Sequence, residues 1–116
     1  MITVTLPYPD KLLNPNKRLH WSKVHKAKAK AKADAYALAL EAGAKDFQAK
    51  RVSVGLTIIP PDNRTRDTDN IIASLKSAFD GVAMAIGVDD SKWSFFIDRK
   101  ASSHPGAIIL EIGGIA

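Results

Sequence analysis

Cysteine is absent from the 116-residue sequence. Its absence excludes disulfides, thiolate metal sites and cysteine nucleophiles together. Long apolar runs are missing too: nothing approaches the roughly 20 residues that span a bilayer. No signal-peptide pattern opens the chain, so the expectation is a cytoplasmic protein with no membrane attachment. Histidine is sparse, and His20, His25 and His104 are scattered with no cysteine to assist them, which argues against zinc. No phosphate-cradling glycine loop, nucleophilic triad motif, internal repeat, linker or low-complexity segment is present. Acidic residues are scarce in one half only. Residues 1–58 carry 11 Lys/Arg and 4 Asp/Glu, whereas residues 59–116 carry 6 and 8.

What remains is ordinary globular material. Hydrophobic residues make up 46% and charged residues 25%, close to average usage. The length suits one domain, 1–116. The formal charge is +5, and between Lys17 and Lys32 stand seven basic residues and no acidic one. Such a run binds a polyanion or simply solvates a helix face, and charge alone does not separate these readings.

Ile2 to Leu6 alternates as a half-buried strand, and Pro7, Pro9 and Asn14-Pro15-Asn16 then impose a loop. Ser22 suits a helix N-cap. The Lys-Ala alternation over 26–32 has period two, but Lys and Ala favour helix over strand. Val24, Ala27, Ala31, Ala35, Leu38 and Ala42 fall on one stripe, so a helix is expected over about 22–42, stopped by Gly43. Arg51 to Ile59 reads as a strand closed by Pro60-Pro61. Ile71, Leu75, Ala78, Phe79, Val82 and Ile86 mark one helix over about 70–86, stopped by Gly87. Segments 93–100 and 107–112 read as strands, and Pro105-Gly106 suggests that they form an antiparallel hairpin. The order β-α-β-α-β-β implies a single α+β (mixed α/β) domain, a small mixed sheet with two packed helices.

The chemistry concentrates in Arg66-Asp67-Thr68-Asp69-Asn70. Carboxylates at i and i+2 can share a hard cation such as Mg²⁺, which takes one or two carboxylates with water and phosphate oxygens. Asp and Asn also belong at helix N-termini as caps and dipole partners, so both readings of this segment stand. A second pair, Asp89-Asp90, lies past the other end of the same predicted helix, where the dipole disfavours carboxylates. Turn chemistry explains that pair, or else a metal is held by both pairs. An EF-hand is excluded, because Ile71 and Ile72 stand where a ligand and a glycine are required. Metal-assisted hydrolysis is the best supported chemistry.

The segments Arg66–Asn70, Lys76-Ser77-Ala78-Phe79-Asp80-Gly81 and Gly87-Val88-Asp89-Asp90 resemble the RusA family of Holliday-junction resolvases, small enzymes of bacteria and their phages. Asn16, His20 and Trp21 resemble the N-terminal stretch of many members. The resemblance implies a homodimeric, Mg²⁺-dependent endodeoxyribonuclease, with Mn²⁺ able to substitute, that cuts four-way DNA junctions in recombination and repair. It puts the metal-binding carboxylates on Asp67, Asp69 and Asp90, with Asp89 adjacent. The family's catalytic lysine follows the second Asp by four residues. Here Ala73 holds that position, and Lys76 is the available lysine. On a continuous helix Ala73 lies about 40° and Lys76 about −20° from Asp69, with rises of roughly 6 and 10.5 Å. Asp80 shares that face and can pair with Lys76.

On this reading Lys17, Arg18, Lys23, Lys26 and Lys30 grip phosphates without reading sequence, and Arg64 and Arg66 contact substrate near the metal. Trp21 and Trp93 are candidates for a wedge at an unstacked junction, set against ordinary burial. Two alternatives remain: a non-catalytic DNA-binding or regulatory protein with the aspartates as caps, and a metal nuclease for other branched DNA.

Overall fold

A computed structural model describes residues 1–15 and 20–115. Among these residues four strands and three α-helices follow one another: β1 (Ile2–Leu6), α1 (Trp21–Glu41), β2 (Val52–Ile59), α2 (Thr68–Ser74), α3 (Lys76–Ile86), β3 (Trp93–Arg99) and β4 (Ala107–Gly114). The strands form one mixed sheet in the order β1-β4-β2-β3. The expected α+β class holds, with helices on one face of the sheet. On that face Val4, Leu6, Val52, Val54, Leu56, Ile58, Ile108, Leu110 and Ile112 are buried. The opposite face carries Thr3, Thr5, Ser53, Thr57 and Glu111 and stays accessible, the usual alternation of a sheet covered once.

The expected 93–112 hairpin is not formed. β3 pairs with β2 in parallel, Val52 beside Trp93 and Ile58 beside Arg99. β4 pairs antiparallel with both β1 and β2. The two strands run in opposite directions, but β2 lies between them. The 100–106 connection is held across the end of β2 by Lys100 N–H donating to Ile58 O and Ser103 N–H to Pro60 O, each at 2.9 Å. Burial explains the order. β2 hides a residue at every second position and suits the interior, whereas β3 is exposed over most of its length and suits the edge.

The alanine stripe of α1 buries Ala35 and Ala39 against α3 and leaves Val24, Ala27, Ala31, Leu38 and Ala42 half-buried. Small side chains let the two helices approach closely. Gly81 completes the approach, since a Cβ there would lie 2.2 Å from Lys32 O. The first helix begins at Trp21 rather than Ser22, and its cap is His20, whose ring nitrogen accepts from Ser22 N–H at 3.4 Å.

All six apolar residues expected on the second helix are buried, but the helix is two pieces. Leu75 separates α2 from α3, and the Ser74 hydroxyl donates to Asn70 O at 2.8 Å. Such back-bonding to the preceding turn competes with the regular ladder and bends helices. The angular relation of Asp69 to Lys76 calculated for a continuous helix therefore does not apply. Gly87, at φ 73°, ends α3 in the left-handed conformation that glycine adopts without a Cβ penalty. No helix among the described residues is long and apolar enough to cross a membrane.

Candidate functional site

The loop after β2 positions the first acidic pair. Asp62 is its organiser. It accepts from Arg64 N–H at 3.0 Å, pairs with Arg66 Nη1 at 2.8 Å, and offers its carbonyl to the same nitrogen at 3.1 Å. The hydrogen bond from Arg66 holds the Asp62 carboxyl below its ordinary range. Arg66 lies over the Tyr8 ring, 5.7 Å from its centroid. Burial raises the Tyr8 phenol despite the two arginines near it. From β3, Arg99 Nη1 donates to Arg66 O at 2.9 Å and to Thr68 Oγ1 at 3.0 Å. The Arg99 guanidinium thus bridges the two residues that flank Asp67.

Asp67 stands at the N-cap of α2, yet its side chain makes no capping hydrogen bond. Asp69 follows in the first turn and is exposed. Among the described residues, no lysine or arginine forms an ion pair with either carboxylate. Position alone favours both charges, because the first turn presents unpaired N–H groups and the positive end of the helix dipole. A cleft of about 440 Å³ borders Asp67, with Tyr8, Lys11, Arg64, Asn70 and Ser74 in its wall.

The second acidic pair is engaged. Asp89 caps the short 3-10 turn Asp90–Lys92, accepting from Ser91 N–H at 3.1 Å. Hydrogen bonds from Ser91, hydroxyl first and backbone second, hold the Asp89 carboxyl below its usual range. Asp90 receives the Lys76 ammonium, which also reaches Asp80 Oδ1 at 3.2 Å. Those two carboxylates raise the Lys76 pKa, Asp90 foremost. The chain after Gly87 therefore does fold back to the start of α3, and Lys76, Asp80 and Asp90 meet.

Asp67 and Asp69 do not join them within one chain. Among the described residues, no three His, Asp or Glu side chains are grouped so as to hold a metal ion. Parallel pairing supplies the reason. Asp67 follows the C-terminal end of β2, whereas Asp90 precedes the N-terminal end of β3, so the two segments serve opposite ends of one strand pair. The donor chemistry of Asp67 and Asp69 still suits Mg²⁺, which needs only one or two carboxylates beside water and phosphate oxygens.

The expected phosphate contacts divide. Lys23 and Lys26 are exposed on α1. Lys30 is paired with Asp34 at 2.5 Å, which raises its pKa. The Arg64 side chain is 84% exposed with only a 3.7 Å contact to Asp62. Arg66 is committed to Asp62 and Tyr8, so it orders the loop rather than facing solvent. Lys17 and Arg18 lie outside the described residues, as does Asn16. Trp93 is buried with its indole N–H donating to Val88 O at 2.9 Å, which removes it as a wedge.

Tyr8, Asp62 and Arg99 are part of the site and were not expected from the sequence. Arg99 had a usable signal only once β3 was known to run parallel to β2. The carboxyl ends of parallel strands, where α/β sheets form their crevices, then coincide.

No family model matches the chain. A protein of Xylella fastidiosa (strain Temecula1 / ATCC 700964), described only as an uncharacterized protein, is 34% identical over 119 residues, spanning 99% of this chain and 78% of its own length.

Proposed function

This chain belongs to one family with that Xylella fastidiosa protein, and we propose that it is a Mg²⁺-dependent endodeoxyribonuclease for branched DNA, four-way junctions foremost, acting as a homodimer. The observation that carries this reading is the contact of Lys76 with Asp90, which unites two parts of the motif that are 14 residues apart. The pair Asp67/Asp69, which no lysine or arginine among the described residues meets, supports it from the other side.

Asp67 and Asp69 are the residues that would hold the ion, with Mn²⁺ able to replace Mg²⁺. When bound, it would polarise the scissile phosphodiester and lower the pKa of an attacking water. Lys76, paired with Asp90 and Asp80 in the single chain, would turn its ammonium to a phosphate oxygen once those carboxylates are engaged elsewhere. Arg64 offers an exposed guanidinium beside the carboxylates, and Lys23 and Lys26 grip flanking phosphates.

The homodimer has a natural seam in β3, an edge strand that exposes Phe95, Phe96 and Ile97. An unprotected apolar edge invites strand pairing. Antiparallel pairing of two copies centred on Phe96 sets Phe95 opposite Ile97, Ser94 opposite Asp98 and Trp93 opposite Arg99. This register is self-complementary, as a two-fold interface requires. It also sets the start of one β3 beside the end of the other. Asp90 of a second copy is thereby directed toward Asp67 and Asp69 of the first, supplying the carboxylate that one chain lacks.

The test is cleavage of a synthetic four-way junction with Mg²⁺, beside linear duplex and flap DNA. We expect junction-selective cutting, loss of cutting in Asp69→Asn with binding retained, and affinity that falls steeply with salt. Phe96→Asp should yield monomers by sedimentation and abolish cutting. Junction binding without metal-dependent cutting identifies a non-catalytic DNA-binding protein instead. Preferential cutting of flaps moves the substrate to other branched DNA.

A further inference from the structure

Trp21 is 75% exposed, although it is one of only two tryptophans in the chain. Its partner in sequence, Trp93, is buried and hydrogen-bonded as a core indole should be. The Trp21 ring is not loose surface. His20 stacks beside it, with centroids 6.4 Å apart and planes inclined by 18°. His20 is itself held by the helix start, its Nδ1 lying 2.6 Å from Ser22 Oγ. Two flat rings are thus offered side by side at the head of α1.

They border a groove of about 680 Å³ between α1 and the α2–α3 junction. Trp21, His25 and Lys28 form one wall, and Ala73, Lys76 and Ser77 the other. Among the described residues no Asp or Glu lines this groove, although the Lys76 ammonium is held by Asp80 and Asp90 just outside it; the cleft beside Asp67 contains Asp10 and Asp67. An apolar floor with Lys28 at its rim is complementary to a polyanion that also carries flat apolar faces. Nucleic acid bases stack on aromatic rings irrespective of sequence, while lysines track the phosphates. Duplex DNA keeps its base faces covered. Only an unpaired or unstacked base can lie on Trp21.

We propose that Trp21 is a stacking platform for an unpaired DNA base, with the flanking backbone on Lys28. This rests on the branched-DNA reading above and extends it. It assigns selection of unpaired over paired DNA to the head of α1, apart from the carboxylates that would do the chemistry.

The experiment uses the full chain in EDTA, so that binding is read without cutting. The probes are a dT10 strand, a blunt 20-bp duplex and an immobile four-way junction. Fluorescence of wild type minus that of Trp21→Phe isolates the exposed indole. We expect dT10 and the junction to quench that difference signal and the duplex to leave it unchanged. Trp21→Ala should lose about tenfold in affinity for dT10 and the junction, with less than twofold change for the duplex, and Trp21→Phe should retain most of the affinity. Equal quenching by the duplex, or unchanged junction affinity in Trp21→Ala, overturns the platform. Junction cutting by wild type together with unchanged binding by Trp21→Ala defeats this inference alone. Failure of the wild type to bind any probe defeats the endonuclease reading as well.

Discussion

The two acidic pairs at either end of the α2–α3 run are alike in composition and opposite in use. Asp67 and Asp69 precede or open a helix, where the dipole welcomes them, and no lysine or arginine among the described residues pairs with them. Asp89 and Asp90 follow a helix, where the dipole opposes them, and both are engaged, one by Ser91 and one by Lys76. A carboxylate in an unfavourable position requires local partners to be tolerated. One in a favourable position can remain unpaired and available to an external cation. Availability therefore follows from where each pair sits on the helix, not from how many acidic residues it contains.

Substitution of single residues should separate the pairs. The largest effect is expected from Asp69→Asn, which should lower Mg²⁺-dependent junction cleavage by at least about 100-fold in a single-turnover assay, whereas Asp89→Asn should stay within about threefold of wild type. Comparable losses from both would erase the distinction. Lys76→Met should release Asp90 from its partner while removing the phosphate contact, lowering cleavage by about 10- to 100-fold. Metal affinity, read by Mn²⁺ titration, should not weaken.

Gly81→Ala addresses the scaffold that keeps the pairs apart. A methyl group directed at Lys32 O must separate α1 from α3, at a cost on the order of 1–3 kcal/mol by chemical denaturation. An unchanged midpoint would refute the close helix approach. Asp89→Ala removes a cap from a single turn and should lower the denaturation midpoint less than Gly81→Ala does. Smallest is the pH effect at Asp62, whose folded carboxyl is held below its unfolded value by Arg66. Its contribution is present above the unfolded carboxylate pKa, near 3.9, and is lost as pH falls through the lower folded pKa. Thermal melts across acid pH should show that loss, and Asp62→Asn should remove it.

Much of the local structure was legible. The Ile2–Leu6 and Val52–Ile59 strands, the lysine-rich helix and the buried face from Ile71 to Ile86 follow from periodicity, because each pattern repeats within a single element. The motif residues of the candidate site were legible as well, by resemblance. The break at Leu75 was not, because it leaves the apolar spacing from Ile71 to Ile86 intact. Nor was the commitment of Arg66 to Asp62 and Tyr8, which joins a loop to the end of a strand nearly 60 residues earlier.

The sequence alone determined which segments are helix and strand, which of their faces turn inward, and where carboxylates and lysines are concentrated. These are consequences of neighbours within a few residues. Only the tertiary structure decided that β2 lies between β3 and β4, that Asp90 reaches Lys76, and that Trp93 is core while Trp21 is surface. Hydrogen-bonded strand order and burial depend on competition among segments distant in the chain. Two tryptophans of identical chemistry were separated by which of them the packed helices happened to cover.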